Sequence, residues 1–118
     1  MTGKYDALVE RFLLAESAQQ MAARMILIAL QEDAIEPLAD VYFAGVNDEH
    51  GSMILTLIAE IGGYEALNIL RDILKHEKGR PDLRLIAAEG LLFNEDNLSE
   101  QEAIAIKRFL DKHASQTK

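Results

Sequence analysis

Apolar residues recur along most of the chain with the three- and four-residue spacing of an amphipathic helix. One clear stripe runs from Ile35 through Leu38, Ala39 and Tyr42 to Val46. No segment sustains the alternation of apolar and polar residues that a strand would show. The pattern therefore predicts an all-α fold. The predicted helices span residues 4–15, 18–31, 35–45, 50–61, 64–77, 81–92 and 100–113.

Local signals mark where these helices begin and end. Ser17 and Ser99 each start a capping-box sequence, and Asp33 is a candidate cap for the third helix. Pro81 suits a first helical position, and Gly62-Gly63 is typical of a helix end. The connections are short, so consecutive helices are expected to pack antiparallel.

Similar segments recur along the chain at intervals near 30 residues. Glu36, Glu65 and Glu102 each open a predicted helix with an acid, a small residue and an aliphatic residue, and they lie 29 and 37 residues apart. The segment 57–60 also resembles the segment 85–89. Two helices per repeat at this period indicate a stacked solenoid.

Two of these segments resemble HEAT-like repeats, in particular the variety with about 30 residues per repeat. Residues 57–67 resemble the junction from the second helix of one repeat to the first helix of the next. Residues 81–84, followed by 87–89, resemble the start of a second helix. The resemblance is good over residues 54–92, passable over 24–53 and poor elsewhere.

The resemblance implies one domain over residues 1–118, folded as a right-handed α-α superhelix of about three and a half antiparallel hairpins. The chain departs from the family in two places, because residues 47–51 lack an Asp–Arg pair and the loop 93–97 is long. Most HEAT-like arrays are protein-binding scaffolds. Phycobilin lyase subunits, alkylpurine DNA glycosylases and inhibitor or adaptor proteins are the exceptions, so the function must be argued from the site.

Composition excludes several classes of function. The chain of 118 residues has no Cys, which excludes a disulfide framework and a cysteine nucleophile. Its longest purely apolar run, Met25–Leu30, is too short to span a membrane, and the N-terminal residues do not resemble a signal peptide. We therefore expect a cytoplasmic protein with no membrane contact.

Nucleic-acid binding is not expected of a chain with a net charge of −8. One basic cluster lies between Arg71 and Arg84, but Asp72, Glu77 and Asp82 are interleaved with it. Such a mixed cluster is typical of a solvated helix face.

Catalytic and cofactor motifs are missing as well. His50, His76 and His113 lie near predicted helix ends and are not spaced as ligands on one face. No phosphate-binding glycine loop or nucleophile elbow occurs. We expect neither an enzyme nor a bound metal or cofactor.

The charge distribution is the main functional signal. No Lys or Arg occurs between Met25 and Leu70, a stretch with eight acids, or between Leu85 and Ile106, a stretch with five. In stacked hairpins, the turns that lead from one hairpin into the next line a single edge. The sequence predicts an acidic edge without bases at Glu32, Asp33, Glu36, Glu65, Glu95, Asp96, Glu100 and Glu102, extended by Glu60 and Glu89, with Tyr64 as an aromatic contact.

Several of these acids also suit helix N-termini, where capping and the helix dipole explain them without a partner. Capping does not explain the lack of bases, since natural surfaces intersperse both signs. We therefore expect a non-enzymatic module whose acidic edge binds a basic protein, in its sharpest form an inhibitor or immunity protein that masks a toxin or nuclease. The alternatives are a small HEAT-like subunit of a lyase-type or modifying enzyme complex, and a structural scaffold that self-associates through its end faces. The last predicted helix is rather apolar for the end of a solenoid, because it carries a stripe of Ile104, Ile106, Phe109 and Leu110.

Overall fold

A computed structural model describes residues 3–116, with side chains described as far as His113. This part of the chain forms α-helices and one short 3-10 helix, Glu95–Asn97, without a strand, which confirms the predicted all-α fold. The helices are α1 (Asp6–Leu14), α2 (Ser17–Leu30), α3 (Glu32–Ala44), α4 (Asp48–Ile61), α5 (Tyr64–His76), α6 (Pro81–Phe93) and α7 (Glu100–Gln116).

Several predicted helix boundaries are confirmed. The Ser99 hydroxyl accepts a hydrogen bond from the Glu102 backbone N–H at 3.1 Å, and Pro81 is the first residue of α6. Gly62 and Gly63 have φ values of 71° and 95°, in the left-handed region that favours glycine. These two residues end α4 and turn the chain into α5.

Two predicted caps are wrong. Ser17 lies inside α2, and α3 begins at Glu32 instead of being capped by Asp33. The reason for the second difference is the tightness of the turn, since Gln31 alone connects α2 to α3 with a φ of 54°. Asn47 is a cap that the sequence reading missed, and its side chain accepts from the His50 backbone N–H at 2.7 Å.

Each helix contacts its neighbour in the chain, and the contacts between alternate helices follow a regular order. Among the odd-numbered helices, α3 contacts both α1 and α5. Among the even-numbered helices, α4 contacts both α2 and α6. The last helix, α7, lies against α6. The hairpins α1/α2, α3/α4 and α5/α6 therefore lie side by side.

The core lies between these helices and consists of aliphatic side chains. Leu27, Ile35, Leu55, Leu70 and Leu91, which come from α2 to α6, are fully buried. Full burial of such a side chain stabilises the fold by about 1.5–3 kcal/mol.

Helices α4 and α6 approach closely because a glycine faces an alanine between them. A Cβ atom added to Gly90 would lie only 2.9 Å from the Cβ of Ala59. Any larger side chain at position 90 would force the two helices apart.

Polar contacts hold together the edge of the molecule where α3 runs into α4 and α5 into α6. The Tyr42 hydroxyl donates to Glu77 Oε1 at 2.8 Å. Arg80 donates to Asp48 Oδ1 at 2.8 Å and to the Val46 carbonyl. The N-termini of α4 and α6 lie at this edge, whereas those of α3 and α5 lie at the opposite one.

The last helix exposes less apolar surface than the sequence predicted. Ile106 in α7 is buried, and Ile104 is the residue of its stripe that remains exposed. More exposed apolar side chains lie on α2, where Met21, Met25 and Ile26 are 62%, 63% and 46% exposed. Met21 and Met25, four residues apart, lie on one face of that helix, whereas Ile26 lies about 100° further around its axis.

Candidate partner-binding surface

Three turns lie side by side at the edge where α2 leads into α3, α4 into α5 and α6 into α7. The Glu32 carboxylate lies against Gly63, since a Cβ on that glycine would be 3.3 Å from Glu32 Oε1. The Asn94 side chain lies against Gly62, where an added Cβ would be 3.0 Å from Asn94 Oδ1, and its Nδ2 donates to the carbonyls of Ala59 and Gly90 at 3.0 Å each. The first and third turns thus contact the second one.

An open cleft of about 420 Å³ lies at the first two of these turns. It is bounded by the start of the described chain, by α3 and by the first turn of α5. Lys4 is the one cation among its lining residues. Six carboxylates also line it, and we call this space with its carboxylates the acidic cleft. They belong to Asp6, Glu32, Asp33, Glu36, Asp40 and Glu65.

Four of the predicted edge residues therefore lie together in the cleft, namely Glu32, Asp33, Glu36 and Glu65. All four are exposed, and none forms an ion pair with any residue that the structure describes. Glu32, Asp33 and Glu65 are in the first turns of their helices, where the dipole stabilises a negative charge.

Two carboxylates of the cleft were missed by the sequence reading. Asp40 lies one helical turn after Glu36 in α3, so the i, i+4 spacing was a usable signal. Asp6 is far from the others in sequence and comes into the cleft only through the packing of α1 on α3.

The predicted absence of bases is wrong for the part of the edge near α7. Glu102 pairs with Arg71, and Glu95 Oε2 accepts from the Lys107 ammonium at 2.9 Å. These bases lie outside the base-free stretches and reach the edge only in the folded chain. Asp96 and Glu100 remain exposed beside them.

The two flanking glutamates line a different surface. Glu60 forms an ion pair with Arg24 that connects α4 to α2. Glu60 and Glu89 border a groove of about 310 Å³ between α4 and α6, with Phe93 at its edge. They are therefore not part of the acidic cleft.

Tyr64, the predicted aromatic contact, is the first residue of α5 and is 76% exposed. It directly precedes Glu65, which lines the cleft. An exposed aromatic ring beside clustered carboxylates is a suitable anchor for a protein partner.

The described residues contain no group of three His, Cys, Asp or Glu side chains arranged to hold a metal ion. Within residues 3–116, no helix has the length and apolar composition needed to cross a membrane.

Comparison of the chain with protein-family models, with curated proteins and with solved structures found no match.

Proposed function

We propose that this protein is a non-enzymatic binding module whose acidic cleft docks a basic protein. The observation that carries the proposal is the cleft itself, a space of about 420 Å³ that six carboxylates and one ammonium group line among the residues that the structure describes. A basic side chain entering this space gains several attractive charges at once. Clustered charge of one sign also steers an oppositely charged partner during diffusion.

We further propose that the fold is a HEAT-like solenoid, a right-handed superhelix of about three and a half hairpins. The supporting observation is the order of contacts, in which odd-numbered helices contact odd-numbered ones and even-numbered helices contact even-numbered ones. In a solenoid each repeat contacts its neighbours, which produces this order. Such a fold would keep the edge turns in register and so hold the carboxylates in fixed positions.

In its sharpest form, the proposal is that the protein inhibits a basic enzyme, as an immunity protein masks a nuclease or toxin. Encounter would be fast, on the order of 10⁸ M⁻¹s⁻¹ at low salt, because the acidic cleft attracts the partner. Tyr64 would then slow dissociation by burying its ring in the complex.

A matched pair of double variants tests the role of the acidic cleft. Glu32→Lys with Glu65→Lys reverses two first-turn acids of the cleft. Glu49→Lys with Asp82→Lys reverses two exposed first-turn acids at the opposite edge. Both pairs change the net charge equally and remove the same kind of dipole interaction, so they differ only in position.

The tagged wild-type protein and both variants are incubated with lysate of the native source, and the retained proteins are identified by mass spectrometry. We expect a basic protein that is retained by the wild type and by Glu49→Lys/Asp82→Lys but lost with Glu32→Lys/Glu65→Lys. With the purified partner, the cleft variant should lower the association rate constant at least about tenfold, and added salt should reduce this difference.

The proposal also predicts a kinetic separation between the charges and the aromatic residue. Tyr64→Ala should leave the association rate nearly unchanged and raise the dissociation rate about tenfold. Equal retention of the partner by both double variants would overturn the acidic-cleft proposal. So would a wild-type protein that retains no basic protein, provided that circular dichroism shows the helical fold intact.

Self-association is a second candidate, and the exposed face of α2 favours it. Met21 and Met25 form an exposed apolar pair on one face of this helix, and Ile26 is exposed on a neighbouring face. Apolar surface of this kind is often covered in an oligomer. Light scattering over a concentration series tests this candidate, and a monomer at every concentration would exclude it.

A further inference from the structure

A second pocket, of about 570 Å³, lies between α5, α6 and α7 at the other end of the molecule. Its surface is mostly apolar and is formed by Leu74, Leu91, Ile106 and the ring of Phe109. This volume lies within the range of pockets that hold small organic molecules, and the pocket is more open to solvent than the acidic cleft. The pocket differs from the acidic cleft both in its apolar surface and in the sign of its charge.

Among the residues that the structure describes, three cations and one acid line this pocket, in a protein with a net charge of −8. Arg71 is neutralised by Glu102, to which it donates two hydrogen bonds. Arg84 and Lys75 form no ion pair with any residue between 3 and 113. The pocket therefore has a local excess of two positive charges.

The Arg84 guanidinium is held in place before any ligand arrives. Its Nε donates to the Leu74 carbonyl at 2.8 Å, and its Cζ lies 4.9 Å from the centroid of the Phe109 ring. A guanidinium that is fixed in this way loses little conformational entropy when it binds an anion. Lys75, which is exposed on α5, supplies a second and more adaptable positive charge.

We propose that this pocket binds a small amphipathic carboxylate, a molecule with an aromatic or branched aliphatic body and one acid group. The body would lie on Leu74, Ile106 and Phe109, and the carboxylate would face Arg84 and Lys75. A neutral ligand would leave the positive charges unused, and a compact anion such as phosphate would leave the apolar surface exposed. This inference is independent of the acidic cleft and of any protein partner.

Three probes test the chemistry of the ligand: 1-naphthylacetate, its neutral amide and acetate. Binding is measured by titration calorimetry, and its location by amide chemical shifts in ¹⁵N-labelled protein. Naphthylacetate should bind about tenfold more tightly than the amide, because only the acid interacts with both cations. Acetate should show no measurable binding, and the shifts should lie in α5, α6 and α7.

Matched variants test the position of the site. Lys75→Met removes a charge from the pocket and keeps an unbranched side chain, whereas Lys78→Met makes the same change at a residue that does not line it. We expect about three- to fivefold weaker binding of naphthylacetate for Lys75→Met and no change for Lys78→Met. Ala105→Phe, which fills the pocket from α7 without changing its charge, should abolish binding.

The proposal is overturned if the amide binds as tightly as the acid, or if Lys75→Met and Lys78→Met behave alike. It is equally overturned if Ala105→Phe leaves binding intact, or if the shifts lie outside α5, α6 and α7. Circular dichroism of each variant verifies that the helices are retained. None of these results depends on whether the acidic cleft binds a basic protein.

Discussion

Arg71 and Glu102 join α5 to α7 through two parallel hydrogen bonds. The Arg71 Nε donates to Glu102 Oε2 at 2.7 Å, and its terminal nitrogen donates to Glu102 Oε1 at 2.9 Å. These bonds stabilise the charged guanidinium and raise the pKa of Arg71 above its ordinary value. A glutamate that the sequence places among the partner-binding residues thus already has a partner within the chain.

A double-mutant cycle measures what this pair contributes. We expect Arg71→Met and Glu102→Gln each to lower the free energy of unfolding, with a coupling energy of about 1 kcal/mol, since the pair is bidentate but remains about one-third exposed. Urea denaturation of the wild type, both single variants and the double variant provides the four values. The same cycle on Lys107 and Glu95, a more exposed pair with one hydrogen bond, should yield less. Equal coupling energies in the two cycles would contradict the prediction that the bidentate pair contributes more.

The sequence was sufficient to predict the helices because each carries its own apolar stripe. The boundary signals were less reliable, since the predicted caps Ser17 and Asp33 are wrong and the cap Asn47 was missed. The sequence was also sufficient to predict which turns lie together, since antiparallel hairpins bring alternate turns to one edge. Glu32 against Gly63 and Asn94 against Gly62 are contacts between these turns.

The sequence did not predict which charged side chains form ion pairs with each other. Arg71 and Glu102 are 31 residues apart, and Arg24 and Glu60 are 36 apart. Whether two such side chains meet depends on the crossing angle and rotation of their helices, which residue spacing does not encode. The position of Asp6 in the acidic cleft was not predicted for the same reason, because it depends on how α1 packs against α3.

Gly90 controls the distance between α4 and α6. We expect Gly90→Ala to lower the free energy of unfolding by about 1–3 kcal/mol, although alanine is the better helix former. The reason is that the new Cβ would lie 2.9 Å from the Cβ of Ala59 and 3.2 Å from a methyl carbon of Leu70. Gly79→Ala is the control, because a Cβ at this exposed position meets nothing within 4 Å. Denaturation curves that rank Gly79→Ala as the more damaging change would refute this explanation.

Asn94 connects the ends of α4 and α6 by donating both Nδ2 hydrogens to backbone carbonyls, those of Ala59 and Gly90. We expect Asn94→Ala to cost about 1–2 kcal/mol in thermal or urea unfolding, because two half-buried hydrogen bonds are lost. Asn94→Asp should cost more at neutral pH, since a carboxylate would face two carbonyl oxygens. Asn97→Ala, a change at an exposed neighbour, serves as the control. If Asn94→Asp proves as stable as the wild type, these two hydrogen bonds are not what holds the turn.

Tyr42 makes the stability of the protein sensitive to high pH. Its side chain is 4% exposed, and its hydroxyl donates to Glu77 Oε1 at 2.8 Å. Burial raises the pKa of Tyr42 well above its ordinary value of 10.0, and the hydrogen bond and the negative charge of Glu77 raise it further. The folded protein therefore keeps the phenol proton at a pH where the unfolded chain releases it.

The direction of the effect follows from this difference in protons bound. The stabilisation is complete below pH 10 and decreases as the pH rises above it, because the unfolded state then binds fewer protons than the folded state. Between pH 10 and 12 the free energy of unfolding of the wild type should fall by about 1 kcal/mol per pH unit relative to Tyr42→Phe. At neutral pH, Tyr42→Phe should be less stable by about 1 kcal/mol through loss of the hydrogen bond to Glu77. Tyr64→Phe, which changes an exposed tyrosine, should follow the wild type, and urea titrations in which Tyr42→Phe does so as well would contradict the prediction.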